Sequence, residues 1–224
     1  MKIKFHGHSH LQVFYNDGSL VIDPFISGNP AAKIKPEDIK CNFVVLTHGH
    51  GDHYGDTDSI AKRNDATVIA INELALYAGS KGLKAHTMHI GGARNFPFGK
   101  IKFTIAHHSS TVPDGTDTGD SSGVLLTIDG KTIYHAGDTG LFYDMKLIGE
   151  MNKIDCAFLP IGDNFTMGVD DAVKAVEFLN PSIVVPIHYN TFDVINADPN
   201  EFKRKVESIG KKCVIMNVGD ELEI

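Results

Sequence analysis

The segment Thr47-His48-Gly49-His50-Gly51-Asp52-His53 sets three imidazoles and a carboxylate into a glycine-punctuated loop directly after the apolar run Phe43-Val44-Val45-Leu46. Imidazole nitrogen and carboxylate oxygen are the donors that zinc and other divalent ions take. Glycine between such donors lets a short backbone fold several side chains around one point. Tags and surface histidine clusters also gather imidazoles, but this segment is internal and follows a run with the composition of a buried strand. More donors stand at the ends of other β-rich runs: His107 and His108 after the run from Ile101, Asp138 after Tyr134-His135-Ala136-Gly137, and His188 after the run 183–187. Side chains at strand ends are held rigidly while the connecting loops form a mouth, which suits a closed multi-ligand metal site.

Short β-rich runs alternate with helical patterns, so the elements that position these donors belong to an α/β architecture. Strands are predicted at 3–5, 11–15, 19–22, 43–47, 67–71, 101–106, 124–128, 132–135, 156–160, 183–187 and 213–216, enough for two sheets. Helices are predicted at 58–63, 73–81, 169–179 and 199–209, the last with Asp198 as N-cap, Pro199 at its first position and Gly210 as its stop. Asn16-Asp17-Gly18 and Asp129-Gly130 each separate β-rich runs and read as hairpin turns. They expose an internal echo. Lys2-Ile3-Lys4-Phe5 precedes His8-Ser9, a hairpin and Asp23; Lys100-Ile101-Lys102-Phe103 precedes His108-Ser109, a hairpin and Asp138. Each block then leads to an apolar strand and a loop rich in glycine and aspartate, so the chain reads as two similar halves facing each other with a site in the crevice between them.

The 224 residues, 42% of them hydrophobic, suffice for a large core, and residues 1–224 are expected to form a single domain. The longest apolar runs fall far short of a membrane span, and Met1-Lys2-Ile3-Lys4-Phe5-His6 opens no stretch of signal-peptide length, so a cytoplasmic protein without membrane attachment is expected. Cys41, Cys156 and Cys213 are odd in number and widely spaced, which suits small buried hydrophobes rather than disulfides or thiolate ligands. A net charge of −7 opposes general nucleic-acid binding. The densest basic run, Lys203-Arg204-Lys205, shares a predicted helix with Glu201 and Glu207 and reads as a solvated face.

With His48, His50, Asp52 and His53 followed in order by His108, Asp138 and His188, the chain resembles the metallo-β-lactamase superfamily. Gly7-His8-Ser9, Ile22-Asp23-Pro24-Phe25, Ala136-Gly137-Asp138-Thr139, the run from Pro160 to Gly168 and the run from Pro186 to Phe192 resemble more closely a branch of metal-dependent hydrolases related to the L-ascorbate-6-phosphate lactonase group. The resemblance implies a four-layer αββα sandwich with a dinuclear centre at one edge. It implies that His48, His50 and His108 hold one ion and Asp52, His53 and His188 the other, with Asp138 bridging. Strand alternation lets only one of His107 and His108 face the ions; the family pattern assigns that place to His108. A bridging carboxylate at Asp138 is similar to what thioester, phosphodiester and lactone hydrolases carry, and the antibiotic-cleaving branch departs from it.

Two divalent ions sharing a water lower its pKa from about 15.7 toward about 7, and one polarises the scissile carbonyl or phosphoryl group. The expected activity is therefore hydrolysis by a metal-bridging hydroxide of a small ester, lactone or phosphodiester-type substrate, with zinc, manganese or iron as cofactor and no Ser or Cys nucleophile. Asp52 is expected to combine ligation with proton handling. His8 is the candidate for facing substrate or protonating the leaving group. Asp23, Thr47 and Asn190 are expected to orient ligand histidines, and Asp163 and Asn164 to line the pocket. His86 and His89 read as loop residues, and Arg94 as a surface residue. The expected partner is a small-molecule substrate, with neither nucleic acid nor membrane, and a homo-oligomer is compatible with the sequence. The alternative is a non-catalytic metabolite-binding or sensing protein of the same fold, because fold does not imply function.

Overall fold

The computed structural model describes residues 1–16 and 18–224. The strands are β1 (Lys2–Phe5), β2 (Leu11–Tyr15), β3 (Gly18–Ile22), β4 (Phe43–Val45), β5 (Thr67–Ile71), β6 (Lys84–Met88), β7 (Ala93–Phe96), β8 (Gly99–Ile105), β9 (Ser122–Ile128), β10 (Lys131–His135), β11 (Cys156–Pro160), β12 (Ile183–Ile187), β13 (Lys212–Cys213) and β14 (Glu221–Glu223). The helices are α1 (Gly51–Tyr54), α2 (Thr57–Asn64), α3 (Asn72–Ser80), α4 (Met145–Met151), α5 (Val169–Leu179) and α6 (Pro199–Ser208). Two seven-stranded sheets result, ordered β14-β1-β2-β3-β4-β5-β6 and β13-β12-β11-β10-β9-β8-β7.

The echo in the sequence is an echo in the pairing. From β1 to β3 the strands run antiparallel and from β3 to β6 parallel; from β8 to β10 they run antiparallel and from β10 to β13 parallel. Each half closes with one antiparallel edge strand, β14 beside β1 and β7 beside β8. Two antiparallel steps restore the starting direction, so β1, β3 and β4 all end on one side, as do β8, β10, β11 and β12. Every predicted donor follows one of these ends.

Every residue of β11 is buried, and nearly every residue of β9. Alternate side chains serve two layers: Phe103, Val124, Leu126 and Phe158 join Ile3, Leu11 and Leu20 between the sheets, while Tyr134, Ala157, Leu159 and Val184 meet Met145, Val176 and Phe202 of the helices outside. The result is the αββα sandwich. Asp198 caps α6 by accepting from the Asn200 amide, with Pro199 in the first turn. The basic run on α6 is spent on Lys203–Glu207, Lys205–Glu201 and Arg204–Asp198 pairs. Among the described residues no helix is long and apolar enough to cross a membrane.

Several elements differ from expectation. β6, β7 and β14 are polar edge strands with little burial, so the apolar alternation that marks a strand is absent from them. His86 accordingly lies in β6 and not in a loop, and the exposed Arg94 lies in β7. α1 is a single turn, and α4 exposes Leu147 and Met151, which hides its amphipathic pattern. β4 stops at Val45 and β13 at Cys213, shorter than predicted. Tyr15 pairs with Gly18 across the first hairpin; Asp17 lies outside the described residues.

Phe103 is fully buried between the sheets. Phe103→Ala is expected to lower unfolding free energy by about 3–5 kcal/mol, read as a lower urea midpoint with unchanged slope.

Candidate metal centre

Asp23, at the end of β3, is completely buried and accepts from the Thr47 amide (2.9 Å), the Thr47 hydroxyl (2.6 Å) and His53 Nδ1–H (2.8 Å). The Thr47 hydroxyl has one proton, and Asp23 takes it, so its oxygen accepts from His48 Nδ1–H at 3.0 Å. Both imidazoles are thereby fixed with their proton on Nδ1 and a lone pair on Nε2. The loop carrying them passes close to the second half: the Gly49 amide donates to Ser110 Oγ at 3.0 Å, and a side chain at Gly49 would collide with Thr118 and Val112.

The freed lone pairs converge. His48 Nε2 and His108 Nε2 each lie 3.1 Å from His50 Nδ1, and 4.0 and 3.6 Å from Asp138 Oδ2. His53 Nε2 lies 3.2 Å from Asp138 Oδ1 and 4.0 Å from Asp52 Oδ2. His188 Nε2 lies 3.0 Å from Asp138 Oδ2 and 3.6 Å from Asp52 Oδ2. Donors about 2.0–2.1 Å from a tetrahedral ion sit about 3.3–3.4 Å apart, and these separations straddle that spacing. His53 Nε2, Asp138 Oδ1 and both nitrogens of His188 are buried without a hydrogen-bond partner among the described residues. Acceptors facing acceptors in a dry pocket repel unless a cation lies between them, so the donor set fits metal ions.

Asp138 lies between two donor groups, His48, His50 and His108 on one side and His8, Asp52, His53 and His188 on the other, and in the second group His8 turns its Nε2 onto Asp52. In the metal-free chain protons take the cation's part. Burial disfavours a charged His53, but Asp138, Asp23 and Asp52 outweigh it and raise its pKa well above the histidine range. Burial likewise opposes a charged His188, and Asp138 and Asp52 lift it to about 9. Burial raises Asp138 less than His188 and His53 lower it, so it stays ionised. Burial depresses His48, His50 and His108, which keep their lone pairs free.

His8 is buried at the end of β1. Its Nε2–H donates to Asp52 Oδ2 at 3.0 Å, and its Nδ1 accepts the Thr191 hydroxyl at 2.9 Å. Burial lowers its pKa to about 4. His8, Asp23 and His188 all hold left-handed backbone, with φ of 55°, 48° and 52°. Strain of this kind in non-glycine residues gathers at functional sites.

His107 is exposed and turns away, its ring against Phe142, so His108 alone of the pair enters the cluster. Asn190 orients no ligand. Its carbonyl oxygen accepts from the Ala197 amide and ties down its own loop. Asp163 and Asn164 are exposed on the loop after β11. Sequence reasoning passed over Thr191, Ser109 and Ser110. Ser109 Oγ lies 3.3 Å from His50 Nε2, the ring nitrogen opposite the one that meets His48 and His108. Hydroxyl residues are common in loops and carry no spacing signal.

The profile of the β-lactamase superfamily domain matches residues 19–189. The chain is 56% identical to a UPF0173 metal-dependent hydrolase of Bacillus velezensis and 55% identical to the UPF0173 metal-dependent hydrolase YtkL of Bacillus subtilis, each match spanning 100% of both chains. Among solved structures, it superposes with a TM-score of 0.92 on Igni18, a metallo hydrolase from the archaeon Ignicoccus hospitalis, at 41% identity, covering 100% of this chain and 98% of that one. The metallo-β-lactamase fold protein YhfI of Bacillus subtilis, at 13% identity, covers 99% of each chain with a TM-score of 0.76 and shows the shared fold.

Two outcomes are expected of metal binding. Thr47→Val cuts the relay from Asp23 to His48 and should weaken metal affinity by about 10–100-fold, measured by competition with a chromophoric chelator. Because a group raised to about 9 is protonated at pH 7, metal uptake at pH 7 should expel protons from His188 and His53, and uptake above pH 9 should expel fewer. Calorimetric titration in buffers of different ionisation enthalpy reads this difference.

Proposed function

Because the chain belongs to the β-lactamase superfamily, and within it to the UPF0173 metal-dependent hydrolases, we propose that it hydrolyses a small organic ester, lactone or phosphodiester-type substrate at a dinuclear centre. The observation that carries this reading is the cluster of buried lone pairs on His48, His53 and His188 around Asp138, each aimed by a hydrogen bond elsewhere or left without one. In the proposed assignment His48, His50 and His108 hold one ion, Asp52, His53 and His188 the other, and Asp138 both. Zinc suits these donors, as do manganese and iron. When bound, such ions supply a nucleophilic water with a pKa near about 7 and polarise the bond under attack.

The remaining work falls to the chain. Asp23 and Thr47 keep His48 and His53 in the tautomer that offers Nε2. Asp52, with its side chain 27% exposed against 3% for Asp138, is the carboxylate that water and substrate reach, and it takes the proton of the attacking water. His8 donates Nε2–H to Asp52 Oδ2 and keeps that proton; its assigned role is to hold the Asp52 carboxylate in place while Asp52 passes the proton it took to the leaving group. The three buried free thiols Cys41, Cys156 and Cys213 suit the proposed cytoplasmic setting.

Elemental analysis of untagged protein purified without added metal should find about two equivalents per chain. His48→Ala and Asp138→Ala should each lose metal and all turnover on a panel of neutral esters and lactones. His8→Ala should keep the metal and lose about 10²-fold in kcat. Protein that binds no metal even after reconstitution, or full turnover in both ligand variants, overturns the proposal. A metabolite bound but never consumed marks the sensing alternative.

A further inference from the structure

The segments that ring the donor cluster are 23–32, 47–56, 107–120, 138–144, 161–168 and 188–198. They carry aspartates throughout and contain neither Lys nor Arg. Asp114, Asp117, Asp163 and Asp193 are exposed. Among the described residues two cations from elsewhere reach these segments through ion pairs, Lys81 held by Asp114 and Arg204 held by Asp198, and Lys33, just past the first segment, is bonded to the Val218 carbonyl. A substrate with a phosphate, sulfate or carboxylate beyond its reacting group would meet like charge here and no fixed counter-charge. Bound metal ions would add positive charge at the reacting atoms, inside the donor cluster, and would put none on that rim.

The same mouth exposes apolar side chains on two neighbouring loops. Phe165 is 55% exposed, Phe192 37% and Val194 58%. The loops are in contact, since a side chain at Gly162 would strike the His188 carbonyl and Ile195. The loop that carries Phe165 is tied to the residue after Asp138: the Met167 amide donates to the Thr139 carbonyl at 2.9 Å, and the Asp163 amide to the Met167 carbonyl at 3.0 Å. Phe192 sits against His8: its ring and that of Phe25 each lie 5.6 Å from the His8 ring, whose Nε2 is bonded to Asp52. Exposed aromatic surface within reach of a polar reaction centre marks a place for an apolar ligand group.

We propose that the loops 161–168 and 188–195 bind the uncharged, apolar portion of an organic ester or lactone, and that the cation-free aspartate rim turns away anionic compounds, phosphodiesters included. The substrate class narrows accordingly to neutral carboxylic esters and lactones with a hydrophobic acyl or alcohol group. This inference rests on the hydrolytic reading of the same centre, and its test has a binding arm that needs no turnover.

The probes are 4-phenylbutyrohydroxamic acid, which is neutral and apolar with a metal-binding head, and the same compound with a ring sulfonate. Calorimetric titration of the metal-loaded full chain at low salt should give a Kd at least about ten-fold lower for the neutral probe, with the gap closing as salt rises. Phe165→Ala and Phe192→Ala should weaken the neutral probe while metal content and Tm stay unchanged. The double substitution Asp163→Asn with Asp193→Asn should narrow the gap between the probes. Equal or tighter binding of the sulfonate, or wild-type binding by both Phe variants, overturns the proposal. In parallel, p-nitrophenyl esters of the two phenylbutyric acids report turnover: preferential binding of the neutral hydroxamate with neither ester cleaved sustains the pocket and removes the hydrolytic reading.

Discussion

One buried carboxylate, Asp23, organises the centre without facing it. It accepts three hydrogen bonds, from the Thr47 amide, the Thr47 hydroxyl and His53 Nδ1. These bonds do three things together. They satisfy a charge that burial alone would make prohibitive, they pin the loop after β4 to the end of β3, and they decide which nitrogen of His48 and of His53 carries its proton. The ligand geometry follows from the last. Had either proton sat on Nε2, the imidazole would offer a donor where the cluster needs a lone pair.

Strand direction explains why residues so distant in sequence meet. Within each sheet the two antiparallel steps before the parallel run return the chain to its first direction, so His8, Asp23 and the loop at 47–53 share one rim, and His108, Asp138 and His188 share the facing one. The inter-sheet layer of Ile3, Leu11, Phe103, Leu126 and Phe158 then fixes the distance between the rims. A close-packed interior resists compression, so the donor separations inherit its rigidity. The left-handed backbone at His8, Asp23 and His188 sits where the core over-determines it.

Much of this was legible in the residues. The loop at 47–53 and the ordered His108, Asp138 and His188 declared a metal centre, and the repeated Lys-Ile-Lys-Phe blocks declared two halves, because both signals rest on residue type and order. The edge strands β6, β7 and β14 were not legible, since one solvated face and polar side chains erase alternation and only pairing with a neighbour makes them strands. Second-layer contacts were half legible. Asp23 and Thr47 flank apolar runs and stood out, whereas Thr191 finds His8 across most of the chain and Asn190, one residue away, finds only Ala197. Nothing local distinguishes that hydroxyl from that amide.

The two halves place the same residue types at equivalent strand ends and use them differently. β1 corresponds to β8 and delivers His8 where the second half delivers His108; β3 corresponds to β10 and delivers Asp23 where the second half delivers Asp138. In the second half both lie in the donor cluster. In the first half the same two types stand one layer back, His8 on Asp52 and Asp23 on Thr47 and His53. The loops after β4 and β11 reverse the bias: 47–53 carries four donors, and 161–168 carries none of the histidines and presents Phe165 to solvent. A pocket with donors on every side would hold ions and leave a substrate no surface to rest on. Concentrating the donors on one loop and leaving its counterpart without histidine and with Phe165 exposed gives a centre that is closed to water behind, through Asp23, and open in front, through Asp52.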